Sequence, residues 1–457
     1  MMSVWNLKQA QAAVGGELLG DGDLRPAALS MDTRTIRPGD GFVAIRGQRD
    51  GHGFAAEAVA KGAVALLVDH GLPLEVPQLV VPDTLAALQR WGQARLEAVR
   101  PRVVMAITGS VGKTSTKELL AGATGAWKTP GNRNNTLGLP EALATLPEGE
   151  EAVVLEMGMS TPGELHRLTE IAPPDFGLIT NIGCVHMENF PDGQQGIARA
   201  KGELVEGLRP SGLWVHLADD SWCRWVALQP WARARAVAVG QGASFGWEDE
   251  VSLGVHGERF ELRHPGGRVP VRLRLRGSHH VRNAALAGAL AILAGFEPEA
   301  VAAGLGLAEP LPGRGLLHPL SGGGWLLDES YNAVMESVLA CAQTLLTLEG
   351  GEAVAVLGCM RELGPGSEQL HRQTGEALKA LGLDRVLVYG DQAQSLALGF
   401  GASAKAWPDF ESMRDDGQGL GSVPEGARIL VKASLYWRAA RAVDWLLDRF
   451  GPAVTAP

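Results

Sequence analysis

Several features are scarce in this chain of 457 residues, and each scarcity excludes a class of protein. The only cysteines are Cys184, Cys223, Cys341 and Cys359. They are widely spaced and form no CxxC pair, so the sequence indicates neither a disulfide framework nor a zinc ribbon, and we expect small buried side chains. Apolar runs are too short and too alanine-rich to span a bilayer, and the first residues carry no signal-peptide pattern. We therefore expect a cytoplasmic protein without membrane insertion.

Basic residues are not in excess either. The chain has 41 Lys and Arg against 51 Asp and Glu, a formal net charge of −10, and no basic stripe, so we expect no nucleic-acid partner. Aromatic residues make up only 5%, whereas there are 60 glycines, a balance that suits an α/β protein with many short strand-to-helix loops. The hydrophobic content of 46% excludes general disorder, which we confine to the tail after Phe450.

The length predicts two or three domains, and the pattern along the chain favours three α/β units. We expect domains at residues 1–100, 101–313 and 314–457, separated by the Arg100-Pro101 step and by the turn-rich stretch 309–315. The middle unit has buried strands alternating with helices, the rhythm of a central parallel sheet, at residues 103–107, 152–155, 176–180 and 213–217.

The third unit repeats this rhythm and predicts an open, Rossmann-like sheet, with strands at residues 325–327, 353–357, 385–388 and 428–431. Between the two sheets, residues 251–276 alternate with period two, which predicts an antiparallel hairpin. An alanine-rich helix over residues 283–294 follows.

The most informative segment is a phosphate-binding loop at residues 109–115, GSVGKTS, between a predicted strand and a predicted helix at 116–123. Its glycines let backbone N–H groups turn toward a polyphosphate. Lys113 can reach the β and γ oxygens, and the hydroxyl of Thr114 or Ser115 can bind Mg²⁺. The loop departs from the usual GxxxxGK(S/T) spacing, because Ile107 stands at the first glycine and only two residues separate Gly109 from Gly112. A nucleoside triphosphate is the expected ligand.

Two further side chains follow strands that end at the same edge of the sheet. Glu156 follows the strand at 152–155, and His186 follows the strand at 176–180. Because the carboxyl ends of parallel strands meet at one edge, we expect both to hold a divalent ion beside the γ-phosphate. A lone histidine after a strand is more often structural, and it is the pairing with Glu156 that favours a metal. Lys201, on the next helix, is expected by this reasoning alone to be a solvated or ion-paired lysine.

These residues carry a resemblance to a known family. Seven segments occur in the order and approximate spacing of the Mur ligases, ATP-dependent enzymes that extend the peptide of peptidoglycan precursors: TGSVGKTSTKELL, TPGNRNNTLGLP, LEMGMSTPGEL, TNIGCVHMENF, IARAKGEL, GSHHVRNAALA and PGRG. The shortened phosphate loop is also the form found in that family. Residues 31–54 resemble its N-terminal domain, so the resemblance covers essentially the whole chain.

The resemblance implies specific roles for named residues. It assigns catalysis to Lys113, Glu156, His186 and Lys201, and Mg²⁺ binding to Thr114, Glu156, His186 and Lys201. The residues implied in ATP binding are Thr108, Gly109, Ser110, Val111, Gly112, Lys113, Thr114, Ser115, Asn283, Arg314 and Glu329. Relatives carry a carbamate on the lysine that corresponds to Lys201, which makes it a carboxylate-like ligand. Nothing in the bare sequence shows that modification.

The run GNRNNTLGLP followed by EMGM resembles the branch that joins D-alanyl-D-alanine to UDP-N-acetylmuramoyl-tripeptide through an acyl phosphate. This implies a monomer in which domain 1–100 binds the uridine end, 101–313 binds ATP, and 314–457 closes over ATP and binds the dipeptide. The implied substrate-binding residues are Asp32, Thr33, Arg34, Asp50, His52, Asn134, Asn135, Tyr331, Asn332 and Lys432. Structural roles stay open for the first five, because DTR and DGH are also common in turns and caps.

Departures from the family pattern cluster in the third domain. Where the family has DDAYNANPxS this chain has DESYNAVMES, which places Glu329, Val334 and Met335 at the positions of Asp, Asn and Pro. Cys359 replaces the Asp of GDMxELG, KGS reads KAS, and His280 replaces the first Asn of HNxxN. Three alternatives follow: a related ligase with a different amine substrate, a phosphotransferase that uses the same loop, and a non-catalytic nucleotide-binding protein.

Overall fold

The computed structural model describes residues 5–451 and contains three sheets of mixed or parallel strands, each covered by helices. The α/β fold class predicted from the sequence is therefore confirmed, with a three-unit architecture. The expected disorder of the tail concerns residues that, apart from Gly451, lie outside the described range. Within that range no helix has both the length and the apolar content needed to cross a membrane.

The first sheet has the order β1-β5-β4-β3-β2, with β1 antiparallel and the others parallel. Its strands are β1 Glu17–Leu19, β2 Leu29–Ser30, β3 Gly41–Val43, β4 Ala65–Val68 and β5 Gln78–Val80. Its helices are α1 Leu7–Val14, α2 Ala55–Ala60 and α3 Thr84–Val99. Buried apolar residues on the two faces of the sheet form separate cores, one of which is centred on Trp91 and Leu88 of α3.

The middle sheet is six-stranded and wholly parallel, with the order β11-β10-β9-β6-β8-β7. Its strands are β6 Val103–Thr108, β7 Trp127–Lys128, β8 Ala152–Glu156, β9 Phe176–Ile179, β10 Leu213–Leu217 and β11 Arg235–Val239. Its helices are α4 Lys113–Thr124, α5 Gly138–Ala144, α6 Glu164–Ile171, α7 Gln194–Glu206 and α8 Ser221–Ala227. Every residue of β6 is buried, because helices cover both faces, and β6 lies between β8 and β9.

A smaller antiparallel sheet follows, with β12 Gly246–Ser252, β13 Glu258–His264 and β14 Gly267–Leu273 in sequential order. It leads into α9 Ser278–Leu293 and α10 Pro298–Leu305. Helix α9 packs against α4, the helix that follows the phosphate loop. The small alanine side chains of α9 allow the two helices to approach closely.

The third sheet has the order β15-β16-β20-β17-β18-β19, and only β15 is antiparallel. Its strands are β15 Leu316–Pro319, β16 Trp325–Glu329, β17 Ala353–Gly358, β18 Arg385–Tyr389, β19 Ala404–Trp407 and β20 Arg428–Lys432. Its helices are α11 Met335–Leu346, α12 Ser367–Leu381, α13 Ala393–Phe400, α14 Phe410–Asp415 and α15 Ala440–Phe450. The carboxyl ends of β16 and β20 face the middle sheet, where the cleft described below is formed.

The structure corrects the sequence prediction at three points. Residues 251–276 hold the predicted antiparallel hairpin, formed by β13 and β14, but a third strand, β12, pairs with β13. β12 was not predicted, because it is largely exposed and polar and lacks the alternation that revealed its neighbours. Helix α9 starts at Ser278, which places Asn283 in its second turn rather than at its start. The third sheet also contains β15 and β19, two edge strands too short and too exposed to give an apolar run.

Candidate active site

The phosphate loop leaves β6 and turns into α4 through two glycines with positive φ. Gly109 has φ +150° and Gly112 has φ +82°. A Cβ atom at Gly109 would overlap the Thr180 hydroxyl, and one at Gly112 would lie 3.0 Å from the Asn283 amide, so both positions need glycine. Close packing of this kind holds the loop N–H groups at the start of α4, where the helix dipole favours a negative charge.

Lys113 curls back over its own loop. Its Nζ donates to the carbonyl of Gly109 at 2.7 Å and to that of Ser110 at 3.3 Å. Desolvation lowers the pKa of Lys113, the charge of Arg314 lowers it further, and the Glu156 carboxylate opposes both effects. These carbonyls are weak partners for an ammonium, so a phosphate oxygen would compete for it successfully.

Glu156 ends β8 and is only 2% exposed. The Thr114 hydroxyl donates to its Oε2 at 2.9 Å, and the Asn134 amide donates to Oε1 at 2.8 Å. The Nζ of Lys117, a buried lysine one turn along α4, lies 3.6 Å from Oε2 and donates to the Gly131 carbonyl at 2.6 Å. A hydroxyl oxygen and two carboxylate oxygens therefore meet at the edge of the loop, and oxygen ligands of this kind are those a hard divalent cation prefers.

His186 lies on the loop after β9 in a left-handed conformation, with φ 55°. Its Nδ1 is paired with Glu362 of the third unit. Burial lowers the pKa of His186; Glu362 opposes this, while the charges of Lys201 and Lys113 add to it. The imidazole thus lies among the predicted catalytic lysines while it contacts a carboxylate from the third unit.

Lys201 is on α7 and is 1% exposed. Within residues 5–451 its amine has no hydrogen bond and no ion pair. Burial lowers the pKa of Lys201 well below its ordinary value, the charge of Lys113 lowers it further, and Cys223 opposes this weakly. A buried lysine without a counter-ion is held toward its neutral amine form, which is the nucleophilic form.

The third unit supplies the opposite wall of the cleft. The Arg314 guanidinium lies 3.8 Å from the Tyr331 ring centroid, and the Tyr331 hydroxyl accepts a hydrogen bond from Asn132 of the middle unit at 2.9 Å. Lys432 lies 3.3 Å from Glu329. Asp328, next to Glu329, accepts from the Gly313 N–H at 2.7 Å and so fixes the connecting loop that carries Arg314.

Between the two units lies a cavity of about 440 Å³. The predicted residues that line it are Ser110, Val111, Gly112, Lys113, Thr114, Ser115, Asn134, Glu156, His186, Asn283, Arg314, Glu329, Tyr331, Asn332 and Lys432. Four predicted residues of the middle unit do not line the cavity: Thr108, Gly109, Asn135 and Lys201. Thr108 and Lys201 are buried, and Asn135 caps the start of α5, accepting from the Gly138 N–H at 2.8 Å.

The predicted residues of the first unit are not brought into this cavity. Asp32, Thr33 and Arg34 follow β2, and Asp50 and His52 follow β3, so all five lie at one end of two neighbouring parallel strands. Arg34 is paired with Asp32 at 2.6 Å. The His52 ring is buried, with Nδ1 2.6 Å from Asp50 and Nε2 accepting from the Asp69 N–H at 3.0 Å. These contacts give His52 a structural role in the loop.

Sequence reasoning missed four residues in or beside the cleft. Lys117 lies three residues after Thr114, on the same face of α4, and this spacing could have revealed it. Glu362 could not have been placed against His186, because they belong to different sheets. His279, at the start of α9, and Cys341, on α11, also line the cavity. Three of the four cysteines are buried as expected, and Cys184 is partly exposed.

Comparison with known proteins gives concordant matches along the chain. Residues 107–291 match the Mur ligase middle domain, and residues 319–435 match the Mur ligase, glutamate ligase domain. The chain is 37% identical over 410 residues to the UDP-N-acetylmuramoyl-tripeptide–D-alanyl-D-alanine ligase of Escherichia coli, covering 88% of this chain and 89% of that protein. It is 34% identical to the Bacillus subtilis enzyme of the same name, covering 81% of each.

Solved structures agree with these matches. A crystal structure of MurF from Acinetobacter baumannii superimposes with a TM-score of 0.86 at 30% identity, covering 98% of this chain and 99% of that one. MurF ligase from Thermotoga maritima in complex with ADP gives a TM-score of 0.78 at 27% identity, covering 92% and 97%. Motifs, fold and relatives thus point the same way, and the chain belongs to the Mur ligase family.

Proposed function

We propose that this chain is an ATP-dependent, ADP-forming ligase that joins D-alanyl-D-alanine to the peptide of UDP-N-acetylmuramoyl-tripeptide. One observation carries the proposal: Lys113, Glu156 and His186 follow three adjacent strands and line a cavity closed by Arg314, Tyr331 and Lys432. Relatives at 37% and 34% identity over most of their length bear that activity in their names. We further propose that the enzyme is cytoplasmic and monomeric.

The first half-reaction activates a carboxylate. A terminal carboxylate oxygen of the tripeptide attacks the γ-phosphorus of ATP, and the bond from that phosphorus to the β–γ bridging oxygen breaks. ADP is released, and the tripeptide now carries an acyl phosphate. Lys113 shifts from its loop carbonyls to the γ-phosphate oxygens, and the loop N–H groups bind the other phosphates. Charge therefore develops where fixed donors already lie, so positioning and electrostatics carry the step.

The second half-reaction forms the amide. The amine nitrogen of the dipeptide attacks the acyl carbon, phosphate departs with its oxygen, and the amine loses a proton. A cleft walled by two units suits this sequence, because the acyl phosphate must be kept from water until the amine arrives. We propose that the third unit, 314–457, binds the dipeptide and closes over ATP, while the middle unit, 101–313, binds ATP.

The oxygen donors at Glu156 fit Mg²⁺. Thr114, Glu156 and, through its ring nitrogen, His186 are the residues that would hold it, and a bound ion would neutralise charge on the transferring phosphoryl group. Lys117 and Asn134 orient the carboxylate by contacting its two oxygens. Mg²⁺ therefore belongs to the proposal on the chemistry of the donor set.

Lys201 fits a carbamate better than an ammonium. An ammonium here would be buried near Lys113 and His186 with no counter-ion. A neutral amine can instead form an N–C bond to CO₂ and release one proton to solvent, which gives a carbamate anion. We expect Lys201→Ala to be nearly inactive and to recover part of its activity in acetate or formate but not in chloride. Equal activity in acetate and chloride would remove the carbamate from the proposal.

The first unit, 1–100, is proposed to bind the uridine end of the substrate through the loops after β2 and β3. Arg34 is exposed there and its contact with Asp32 is superficial, so it is free to turn toward a diphosphate. Arg34→Ala is expected to raise the KM for the UDP-linked substrate several-fold and to leave the KM for ATP unchanged. An unchanged KM for the UDP-linked substrate would count against this assignment.

A specific observation favours a second candidate, a ligase of the same mechanism with a different amine. Val334, which stands where the family has Asn, lines the cavity. One assay tests both the D-alanyl-D-alanine ligase and the ligase with a different amine. Phosphate release is measured with ATP, with UDP-muramoyl tripeptides ending in lysine or diaminopimelate, and with a panel of D-amino dipeptides. Release in step with amide formation is expected, with D-alanyl-D-alanine preferred. Phosphate transfer to the acceptor without any amine requirement would instead indicate a phosphotransferase.

A further inference from the structure

A histidine, a carboxylate and a thiol meet where the middle and third units join. His279 lies at the start of α9, Glu329 ends β16, and Cys341 lies on α11. One ring nitrogen of His279, one oxygen of Glu329 and the Cys341 Sγ all lie within 4.8 Å of one another. The proposed ligase reaction uses neither His279 nor Cys341, so their convergence needs another explanation.

Of the three groups, His279 is the one without a polar partner. Over residues 5–451, His279 has no hydrogen bond, whereas Glu329 lies 3.3 Å from Lys432 and the Cys341 thiol contacts both Glu329 and Lys432, contacts that a bound cation would replace. Cys341 is 2% exposed. Burial, followed by the charge of Glu329, raises the pKa of its thiol, so the thiol stays protonated unless a cation displaces the proton.

A second trio, His52, Asp69 and His70 in the first unit, provides a contrast. Its atoms are also close, but His52 uses both ring nitrogens in hydrogen bonds to Asp50 and to the Asp69 backbone. That histidine has no lone pair to offer, so the first-unit trio is not a metal site.

The ligand atoms of His279, Glu329 and Cys341, here called the His279 trio, indicate which metal ion would bind. One nitrogen, one oxygen and one thiolate suit Zn²⁺, which takes bonds of about 2.0–2.3 Å and four ligands, whereas Mg²⁺ prefers oxygen alone. Tetrahedral bonds of that length place ligand atoms about 3.3–3.8 Å apart, so the trio must contract by about 1 Å. Side-chain rotation can supply this, and the cavity leaves room for water as the fourth ligand.

We propose that His279, Glu329 and Cys341 form a Zn²⁺ site that ties the third unit to the middle unit. On binding, the Cys341 S–H bond breaks, its proton leaves to solvent, and a sulfur–zinc bond forms with no change of oxidation state. Lys432 remains beside the site, where it offsets part of the anionic charge. The proposal is independent of which amine the ligase uses, because it concerns the resting protein.

The test uses the full-length, metal-free protein. Zn²⁺ is titrated by calorimetry, and Co²⁺ is titrated by absorption, in which a thiolate ligand gives a charge-transfer band. We expect one equivalent bound and a thiolate band in the wild type, in Cys359→Ser and in Cys184→Ser. Cys341→Ser should lose the band and bind Zn²⁺ at least tenfold more weakly. Wild-type affinity in Cys341→Ser, or loss of the band in Cys184→Ser, would overturn the proposal.

Two further measurements test the proposal even if Cys341→Ser does not fold. His279→Gln, checked by circular dichroism, should also bind Zn²⁺ at least tenfold more weakly, and unchanged binding would contradict the proposal. In the wild type, calorimetry in two buffers of different ionisation enthalpy should show about one proton released per Zn²⁺ near pH 7. Zn²⁺ binding without proton release would mean that the thiol is not a ligand.

Discussion

At the scale of single residues, Lys113 is the group on which the proposed chemistry depends most. Its present partners are two carbonyls of its own loop, so removing the side chain leaves no buried charge unpaired. Lys113→Ala should lower kcat by about 10² or more, because a fixed cation is lost from the transferring phosphoryl group. The melting temperature should change little. Exposed Lys405→Ala is the control, and more than a tenth of wild-type activity in Lys113→Ala would contradict the assignment.

Glu156 and His186 offer a second test at this scale. Glu156→Ala and His186→Ala should both reduce activity and raise the Mg²⁺ concentration needed for half-maximal rate, with partial recovery in high Mg²⁺ or Mn²⁺. Glu362→Gln is the matched comparison, since it removes the partner of His186 and keeps the imidazole. If the metal dependence of the Glu156 and His186 variants equals that of the wild type, these residues do not hold the ion.

Lys201 gives a pH-dependent prediction about stability. The pKa of Lys201 in the folded protein lies well below its unfolded value of about 10.5. At a pH between the folded and unfolded pKa values, the unfolded chain therefore holds a proton on Lys201 that the folded chain does not. The free energy of unfolding therefore rises as the pH increases from the folded pKa to the unfolded pKa. Below the folded pKa, the folded protein bears the full cost of burying a charged ammonium. In CO₂-depleted buffer, Lys201→Met should be more stable than the wild type near neutral pH, by about 1–4 kcal/mol.

The advantage of Lys201→Met should shrink as the pH approaches 10.5, where the unfolded lysine also becomes neutral. Urea unfolding across this pH range measures it, with exposed Lys405→Met as the control. A constant difference at all pH values would show that the lysine is charged in the folded protein.

At the scale of elements, the start of α11 carries the departures that bear on the amine. Val334 immediately precedes the helix and lines the cavity, whereas Cys359 follows β17 and is fully buried, close to Gly390. Val334→Asn should lower the KM for D-alanyl-D-alanine several-fold and leave the KM for ATP nearly unchanged. Val334→Leu is the apolar control. An unchanged dipeptide KM in Val334→Asn would show that this departure does not affect amine recognition.

Elements also show what a sequence can and cannot predict. Four strands of the middle sheet, β6, β8, β9 and β10, were predictable because each is a short, continuous apolar run, and the phosphate loop was predictable because its glycines and lysine have fixed spacing. The edge strands β7 and β11 of that sheet were not predicted. β12 and β15 were missed because edge strands are polar or half-exposed and carry little pattern. The start of α9 was placed five residues late, since its first turn is polar and contains two histidines.

At the scale of the whole molecule, the site is shared between two sheets, and this is where sequence reasoning reaches its limit. The contacts of His186 with Glu362 and of Asn132 with Tyr331 join residues far apart in the chain. No local periodicity predicts such pairs. The depressed pKa of Lys201 likewise depends on burial by elements that only the folded chain brings together. Motifs predicted most residues of the cleft, but the contacts between the middle unit and the third unit could be identified only from the structure.

The central claim is that the molecule forms an acyl phosphate between these two walls, and the fate of one oxygen atom tests it most directly. The tripeptide substrate is prepared with ¹⁸O in its terminal carboxylate and turned over with ATP and D-alanyl-D-alanine, and the released phosphate is analysed by mass spectrometry. The account predicts one ¹⁸O atom in each phosphate, because the oxygen that attacks the γ-phosphorus leaves with it. Phosphate free of ¹⁸O, released alongside normal amide product, would contradict the account.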